Sequence, residues 1–154
     1  MQRADIQSSP QVNITRTYPV SAAKVWRAWT EPQALKQWFC PGSSSTVTAI
    51  DVDLSPGGRF RIAFQTADGT PYEASGVYEE VDPERRLVFS WAWKRMPERV
   101  SRIIITLKPI AEGTELSFLH ERLVDAADRA GHQHGWSAFF ENLDAHLLPQ
   151  ARAE

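Results

Sequence analysis

Three of the four histidines lie in one segment near the C-terminus, GHQHGWSAFFENLDAHLL, which spans residues 131–148. If the segment is helical, His132 and His134 point about 200° apart, so they cannot bind one metal ion. His132 and His146 share a side of the helix but lie about 21 Å apart along its axis, at ~1.5 Å per residue. The segment therefore predicts no metal site by itself, and we expect ordinary surface or core histidines.

His120 is the first candidate for general acid–base chemistry, with Tyr78 as the residue that could assist it. The zinc-protease pattern that could begin at His120 is incomplete, because Val124 stands where the second histidine is required. The alternative for His120 is a core histidine whose hydrogen bonds are satisfied. We expect no metal and no cofactor, and His120 is a weak catalytic candidate.

Other patterns for catalysis or phosphate binding are incomplete. Gly57-Gly58 lacks the spacing of a dinucleotide fingerprint, and the stretch 42–46 does not complete the Gly-x-Ser-x-Gly nucleophile elbow. Cys40 is the only cysteine, so no internal disulfide can form. Because nothing local supplies a base, we expect Cys40 to be a buried, inert thiol.

The periodicity of apolar residues predicts the elements that must position these groups. Val12–Tyr18 alternates as a strand does, and two short helices follow, the first capped by Ser21 and the second beginning at Thr30-Glu31-Pro32. A meander of six antiparallel strands comes next, because the gaps between them are short. The predicted strands are 46–53, 58–66, 71–81, 86–94, 100–108 and 113–121.

The last element is a long helix that Asp125 caps and that ends near Leu148. Two glycines interrupt it, each costing about 1 kcal/mol relative to alanine. We expect Gly135 to allow the helix close approach to the sheet, and Gly131 to mark a frayed or bent start. The pocket entrance is predicted at this end of the helix, near the loop of residues 40–45.

Large apolar side chains share one face of several strands and should meet the apolar stripe of the last helix. The pattern fits a solid aromatic core and a largely apolar pocket with a few polar tips equally well. In the second case the predicted lining residues are Phe60, Ile62, Phe64, Tyr78, Phe89, Trp91, Trp93, Phe118, His120, Trp136 and Phe140.

Charge and composition restrict the classes of partner. The chain has 154 residues and a formal net charge of −2. Its densest basic stretch spans a turn, which favours a solvated hairpin tip over a phosphate-binding track, so we expect no nucleic-acid partner. The residues of that stretch are Lys94, Arg95, Arg99 and Arg102.

Targeting signals are missing from the sequence. The first ten residues do not form a signal peptide, and no apolar run approaches the ~20 residues of a membrane helix. We therefore expect a cytoplasmic protein that forms a single domain over residues 1–154, with an ordered core at about 12–148.

Several short motifs together point to a known family. They are Val25-Trp26-Arg27-Ala28-Trp29-Thr30-Glu31-Pro32, Trp38-Phe39-x-Pro41, Asp53-x-x-Pro56-Gly57-Gly58-Arg59-Phe60, Gly76-x-Tyr78-x-Glu80-Val81-x-Pro83-x-x-Arg86-Leu87, Gly113-Thr114-x-Leu116 and Gly135-Trp136-x-x-Phe139-x-x-x-Leu143. In this order the set resembles the activator of heat-shock-protein-90 ATPase homologue-like (Aha1-like) family of the START/SRPBCC superfamily. One departure is Ser55, which stands where family members frequently carry a basic residue.

The resemblance implies an α+β helix-grip fold. In this fold a curved antiparallel sheet of about six to seven strands wraps a long C-terminal helix, and two short helices follow the first strand. A cavity for an apolar small molecule often lies between sheet and helix, and this favours a pocket over a solid core.

Three functions are compatible with these observations. The first is a non-catalytic binding domain for an apolar or aromatic small molecule. The second is a cyclase, dehydratase or hydrolase that uses pocket acid–base groups, with His120 first among them. The third, which rests on the family name alone, is a chaperone-linked interaction protein of the stress response. Homodimerisation through a strand edge or a helix is left open.

Overall fold

The structure is a computed structural model that describes residues 10–39 and 46–153, with side chains described as far as residue 150. Cys40 and the predicted loop of residues 40–45 lie outside the described residues. The elements are β1 (Val12–Tyr18), α1 (Ala22–Thr30), α2 (Pro32–Trp38), β2 (Thr46–Val52), β3 (Arg59–Gln65), β4 (Pro71–Asp82), β5 (Arg86–Trp93), β6 (Ser101–Ile110), β7 (Gly113–Glu121), α3 (Ala126–Leu147) and a final 3₁₀ helix (Leu148–Ala153).

The seven strands form one antiparallel sheet in the order β1-β7-β6-β5-β4-β3-β2. Strands β2 to β7 follow each other as a meander, and β1 closes the far side by pairing with β7. Register shifts interrupt the β2–β3 pairing near Val47 and the β4–β5 pairing near Tyr78. Such bulges bend a strand and increase its twist, which helps the sheet to curve.

The three α-helices begin at the positions that local sequence signals predict. The Ser21 hydroxyl accepts a hydrogen bond from the Lys24 amide at the start of α1. Pro32 occupies the first turn of α2, and the Asp125 carboxylate accepts from the Asp128 amide at 2.9 Å at the start of α3. The predicted caps at Ser21 and Asp125 are therefore confirmed.

Helix α3 packs its apolar stripe against the inward face of the sheet. Trp136 is the centre of this contact, with its ring 4.6 Å from that of Phe118 on β7 and 5.4 Å from that of Trp91 on β5. The helices α1 and α2 are joined by the Trp38 indole, which donates to the Ala28 carbonyl at 2.8 Å. The predicted α+β helix-grip architecture is confirmed.

Within residues 10–39 and 46–153, none of the helices combines the length and the apolar character that crossing a bilayer requires.

Gly76 on β4 has no room for a side chain. A Cβ atom there would overlap the Ser90 carbonyl oxygen and lie 2.8 Å from a ring carbon of Phe60. At Gly131 on α3, by contrast, a Cβ atom would have no neighbour within 4 Å in the part of the chain that the structure describes.

Gly76→Ala should therefore destabilise the protein by at least about 2 kcal/mol, because a neighbouring strand must move to admit the methyl group. This corresponds to a fall of about 4–8 °C in Tm. Gly131→Ala is the matched control and should leave Tm unchanged or raise it, because alanine favours the helix. Thermal unfolding followed by circular dichroism measures both, and equal Tm values for the two variants would contradict the prediction.

Candidate functional site

A chain of hydrogen bonds at His120 fastens α3 to the sheet. The Trp136 indole N–H on α3 donates to His120 Nδ1 on β7 at 3.1 Å. An indole nitrogen can only donate, so Nδ1 accepts and the proton of a neutral His120 lies on Nε2. Nε2 then donates to the Ser101 hydroxyl of β6 at 2.7 Å, and that hydroxyl donates to the Trp91 carbonyl of β5 at 3.2 Å.

This arrangement holds His120 in its neutral form. The side chain is completely buried, and burial together with electrostatic repulsion from His132 lowers the pKa of His120 to about 3. Both ring nitrogens are already hydrogen bonded, so His120 has no free lone pair with which to accept a substrate proton. These contacts are those of a core histidine with satisfied hydrogen bonds. They match the structural alternative that the sequence leaves open beside a catalytic role for His120.

His132 forms a second bridge, between α3 and the end of β5. Its Nε2 lies 3.1 Å from the Trp93 indole N–H, which donates to it, and its Nδ1 lies 3.0 Å from the Asp128 carbonyl and 3.2 Å from Asp128 Oδ1. Neutral His132 therefore carries its proton on Nδ1, whereas His120 carries it on Nε2. The two rings are edge to face with centroids 4.7 Å apart, yet every ring nitrogen has a protein partner.

Metal binding by these histidines has no support in the part of the chain that the structure describes. There, no group of three or more His, Cys, Asp or Glu side chains is placed to hold an ion. His146 interacts with Gln150 at 3.3 Å near the end of α3, far along the helix from His132.

A cavity of about 890 Å³ opens between the N-terminal half of α3 and the adjoining ends of β3, β4 and β5. The sheet side of the cavity is formed by Phe64 of β3, Tyr72 of β4, and Trp91 and Trp93 of β5. Helix α3 forms the opposite side. The six aromatic side chains that line the cavity are Phe64, Tyr72, Trp91, Trp93, Trp136 and Phe139.

The predicted lining residues separate into two groups. Phe64, Trp91, Trp93 and Trp136 line the cavity. The remainder are buried in the core outside its lining: Phe60, Ile62, Tyr78, Phe89, Phe118, His120 and Phe140. Alternation along a strand identifies the inward face, but it does not tell which end of that face packs closely and which end stays open.

Some lining residues were not predicted from the sequence. Tyr72 is one, although its cross-strand partner Phe64 was predicted, and the two rings stack with centroids 5.4 Å apart. Phe139 was assigned to the apolar stripe of α3 but not to the pocket. Lys94 and Arg95 also line the cavity, although their sequence pattern indicates only a solvated hairpin tip.

The glycines of α3 face this space. Gly131 and Gly135 both line the cavity, and a Cβ atom added to either would meet no atom of the described residues within 4 Å. The expectation that Gly135 allows close approach to the sheet is therefore wrong, because the helix is separated from the sheet by open space at this point. Gly131 lies inside an unbroken helix and marks no frayed start.

The polar tips expected in the pocket are mostly engaged elsewhere. The Trp93 indole N–H bonds to His132, and the His120 imidazole lies behind Trp136. Burial and the charge of Asp53 raise the pKa of the Tyr78 hydroxyl, which keeps it protonated in the core. The buried Trp91 N–H is the exception, since it has no hydrogen-bond partner among the described residues.

Residues 19–148 match the family model described as activator of Hsp90 ATPase homolog 1-like protein. The chain belongs to this family. The match covers the cavity and both histidine bridges, so these features lie in the family domain. No functionally curated protein matches the chain.

Solved structures of similar proteins share the fold of this family member. Protein NE0264 of Nitrosomonas europaea is 29% identical, with a TM-score of 0.76 over 90% of this chain and 94% of its own. CV1439 of Chromobacterium violaceum is 24% identical, with a TM-score of 0.82 over 90% and 97%. The AHSA1 protein SPO3351 of Silicibacter pomeroyi is 23% identical, with a TM-score of 0.80 over 89% and 96%.

The buried neutral His120 should make the stability of this family member depend on pH. Unfolded histidine has a pKa near 6.5 and the native residue about 3, so below pH 6.5 only the unfolded chain takes up this proton. Stability from this group is therefore complete above pH 6.5 and is lost as the pH falls towards 3. Between pH 8 and pH 5 we expect the free energy of unfolding to fall by about 2 kcal/mol on its account.

His120→Gln tests this, because glutamine keeps a donor and an acceptor but does not titrate. Urea unfolding at pH 8 and pH 5 should show a difference smaller by about 2 kcal/mol in the variant. The pKa of His146 is also lowered by burial, and its contribution stays in both proteins. An unchanged pH dependence in His120→Gln would contradict the assignment.

Proposed function

We propose that the protein binds an apolar or aromatic small molecule in the cavity between α3 and the ends of β3, β4 and β5. One observation carries the proposal: a space of about 890 Å³ with a mainly apolar lining that includes several aromatic rings. This volume lies in the range of roughly 300–1,000 Å³ that is usual for small-molecule sites.

The energetics of the walls support an apolar ligand. Burial of apolar surface contributes about 25 cal/mol per Å², and flat rings add favourable stacked or edge-to-face contacts. The rings around the space already contact each other in this way, with Trp91 and Trp93 edge to face at 5.3 Å and Phe64 and Phe139 at 5.9 Å. A planar ligand would extend this set of contacts.

The glycines of α3 supply a second line of support. Alanine would be more favourable than glycine at either position in a helix, by about 1 kcal/mol. Gly131 and Gly135 are four residues apart, so they lie on one face, and both line the cavity. Their lack of side chains keeps the helix wall of the cavity open, which a simple packing role would not require.

Acid–base catalysis by His120 has less support than binding. The imidazole does not line the cavity, and both of its nitrogens bond to Trp136 and Ser101. The chaperone-linked role rests on the family description and stays a prediction, as does a cytoplasmic location, and homodimer formation stays open.

Filling the cavity should abolish binding without unfolding the protein. Gly135→Leu places a four-carbon side chain in the open space beside Trp136 and Phe139. The affinity for the neutral fluorescent dye N-phenyl-1-naphthylamine should fall more than about tenfold, because the leucine takes volume that the dye needs. Fluorescence titration measures the affinity, and circular dichroism measures Tm.

Ala130→Leu is the matched control, because Ala130 is an exposed residue of the same helix that does not line the cavity. It should bind the dye like the wild type. Failure of the wild type to bind the dye, together with the absence of any retained mass in native mass spectrometry of the fresh protein, would refute the proposal. Equal affinity of Gly135→Leu and wild type would place dye binding elsewhere.

A further inference from the structure

The polar part of the cavity lining carries four charged side chains whose surroundings differ. Two are carboxylates, Glu73 and Asp128, and two are cations, Lys94 and Arg95. Their formal charges cancel, so the net charge of the lining does not select a ligand. The groups differ instead in how many of their hydrogen-bonding positions are free to bind a ligand.

Both carboxylates already have partners within the protein. Glu73 lies 3.4 Å from Arg61, which also bonds to Asp51 at 2.9 Å. Asp128 accepts from the Val124 amide at 3.0 Å through one oxygen and lies 3.2 Å from His132 Nδ1 through the other. Each carboxylate therefore already faces a partner in the protein, Arg61 for Glu73 and His132 for Asp128, which reduces its pull on a cationic ligand.

The cations are much less occupied. Arg95 uses one of the five guanidinium N–H groups, donating from Nη2 to the Pro71 carbonyl at 3.3 Å. For the Lys94 ammonium, the described residues supply no hydrogen bond and no ion pair. Both side chains are exposed at the mouth of the cavity.

Tyr72 fixes Arg95 at this position. The guanidinium carbon lies 4.9 Å from the centroid of the Tyr72 ring, and that ring is itself stacked on Phe64 in the cavity wall. The positive group is therefore held next to the apolar lining with most of its donors unused. A guanidinium so placed suits an oxygen anion, to which it can donate two parallel hydrogen bonds.

We propose that the ligand is an organic acid with one anionic group, whose apolar or aromatic body fills the cavity while its carboxylate or sulfonate binds Lys94 and Arg95. This rests on the proposed function and specifies the class of ligand. The body accounts for the aromatic walls, and the anion accounts for the two cations with free donors at the mouth.

Two dyes that differ by one group test the anionic position. They are 8-anilino-1-naphthalenesulfonate and N-phenyl-1-naphthylamine, which share the aromatic body and differ by the sulfonate. Lys94→Gln together with Arg95→Gln should weaken the sulfonate dye about tenfold and the neutral dye less than about twofold. Raising the salt concentration should weaken the sulfonate dye in the wild type, and much less in the variant.

Arg85→Gln together with Lys108→Gln is the matched control, because it removes one arginine and one lysine from exposed positions outside the cavity lining. Arg85 precedes β5, whereas the cavity lies at the opposite end of that strand, so the eight residues of β5 separate them by about 26 Å. The control should bind both dyes like the wild type, and Tm should be the same in all three proteins.

The outcomes separate this inference from the proposed function. If the wild type binds neither dye and retains no mass in native mass spectrometry, both are refuted; if it retains only a neutral molecule, the anionic class alone is refuted. If the neutral dye binds but the cavity variant keeps the wild-type affinity for the sulfonate dye, only the anionic class is refuted. Equal weakening of both dyes in the cavity variant, or equal weakening of the sulfonate dye in the control, refutes it as well.

Discussion

The hydrogen-bonded connection from Trp136 through His120 to Ser101 is the constraint on which the interior depends. It joins α3 to β7, β6 and β5 through donors and acceptors that are all buried. In such surroundings an unpaired polar group costs about 1–3 kcal/mol. A shift of the helix along the sheet that broke these hydrogen bonds would therefore be unfavourable. The same connection holds His120 neutral, and this is why the most reactive residue type in the interior serves structure and not acid–base chemistry.

The interior divides on either side of this connection. Towards the C-terminal half of α3, Phe140, Leu143 and Leu147 are fully buried and the core is filled. Towards the N-terminal half, Gly131 and Gly135 carry no side chains that could fill the gap, and a cavity opens between the helix and the ends of β3 to β5. Close packing is the rule in protein interiors, so this open region departs from the packing of the rest of the core.

The sequence predicted the fold more completely than the site. Alternation and turn residues placed all seven strands, because a half-buried strand has a strict period of two. The site depends on distances between strands, which periodicity does not encode. Phe60 and Phe64 share one face of β3, yet only Phe64 lines the cavity, since the curvature of the sheet closes one end of that face. Gly135 was misinterpreted for the same reason.

The basic hairpin shows how tertiary placement changes the meaning of a charge. As a sequence, Lys94-Arg95 is a solvated turn, and exposed charges of this kind contribute little to stability. In the fold, Tyr72 from the neighbouring strand lies beneath Arg95 and brings its guanidinium to the cavity wall. An apolar pocket alone discriminates poorly between ligands, since one methylene is worth only about 1–3 kcal/mol. In the proposed function, the charged groups at its mouth supply the chemical selectivity that the aromatic walls lack.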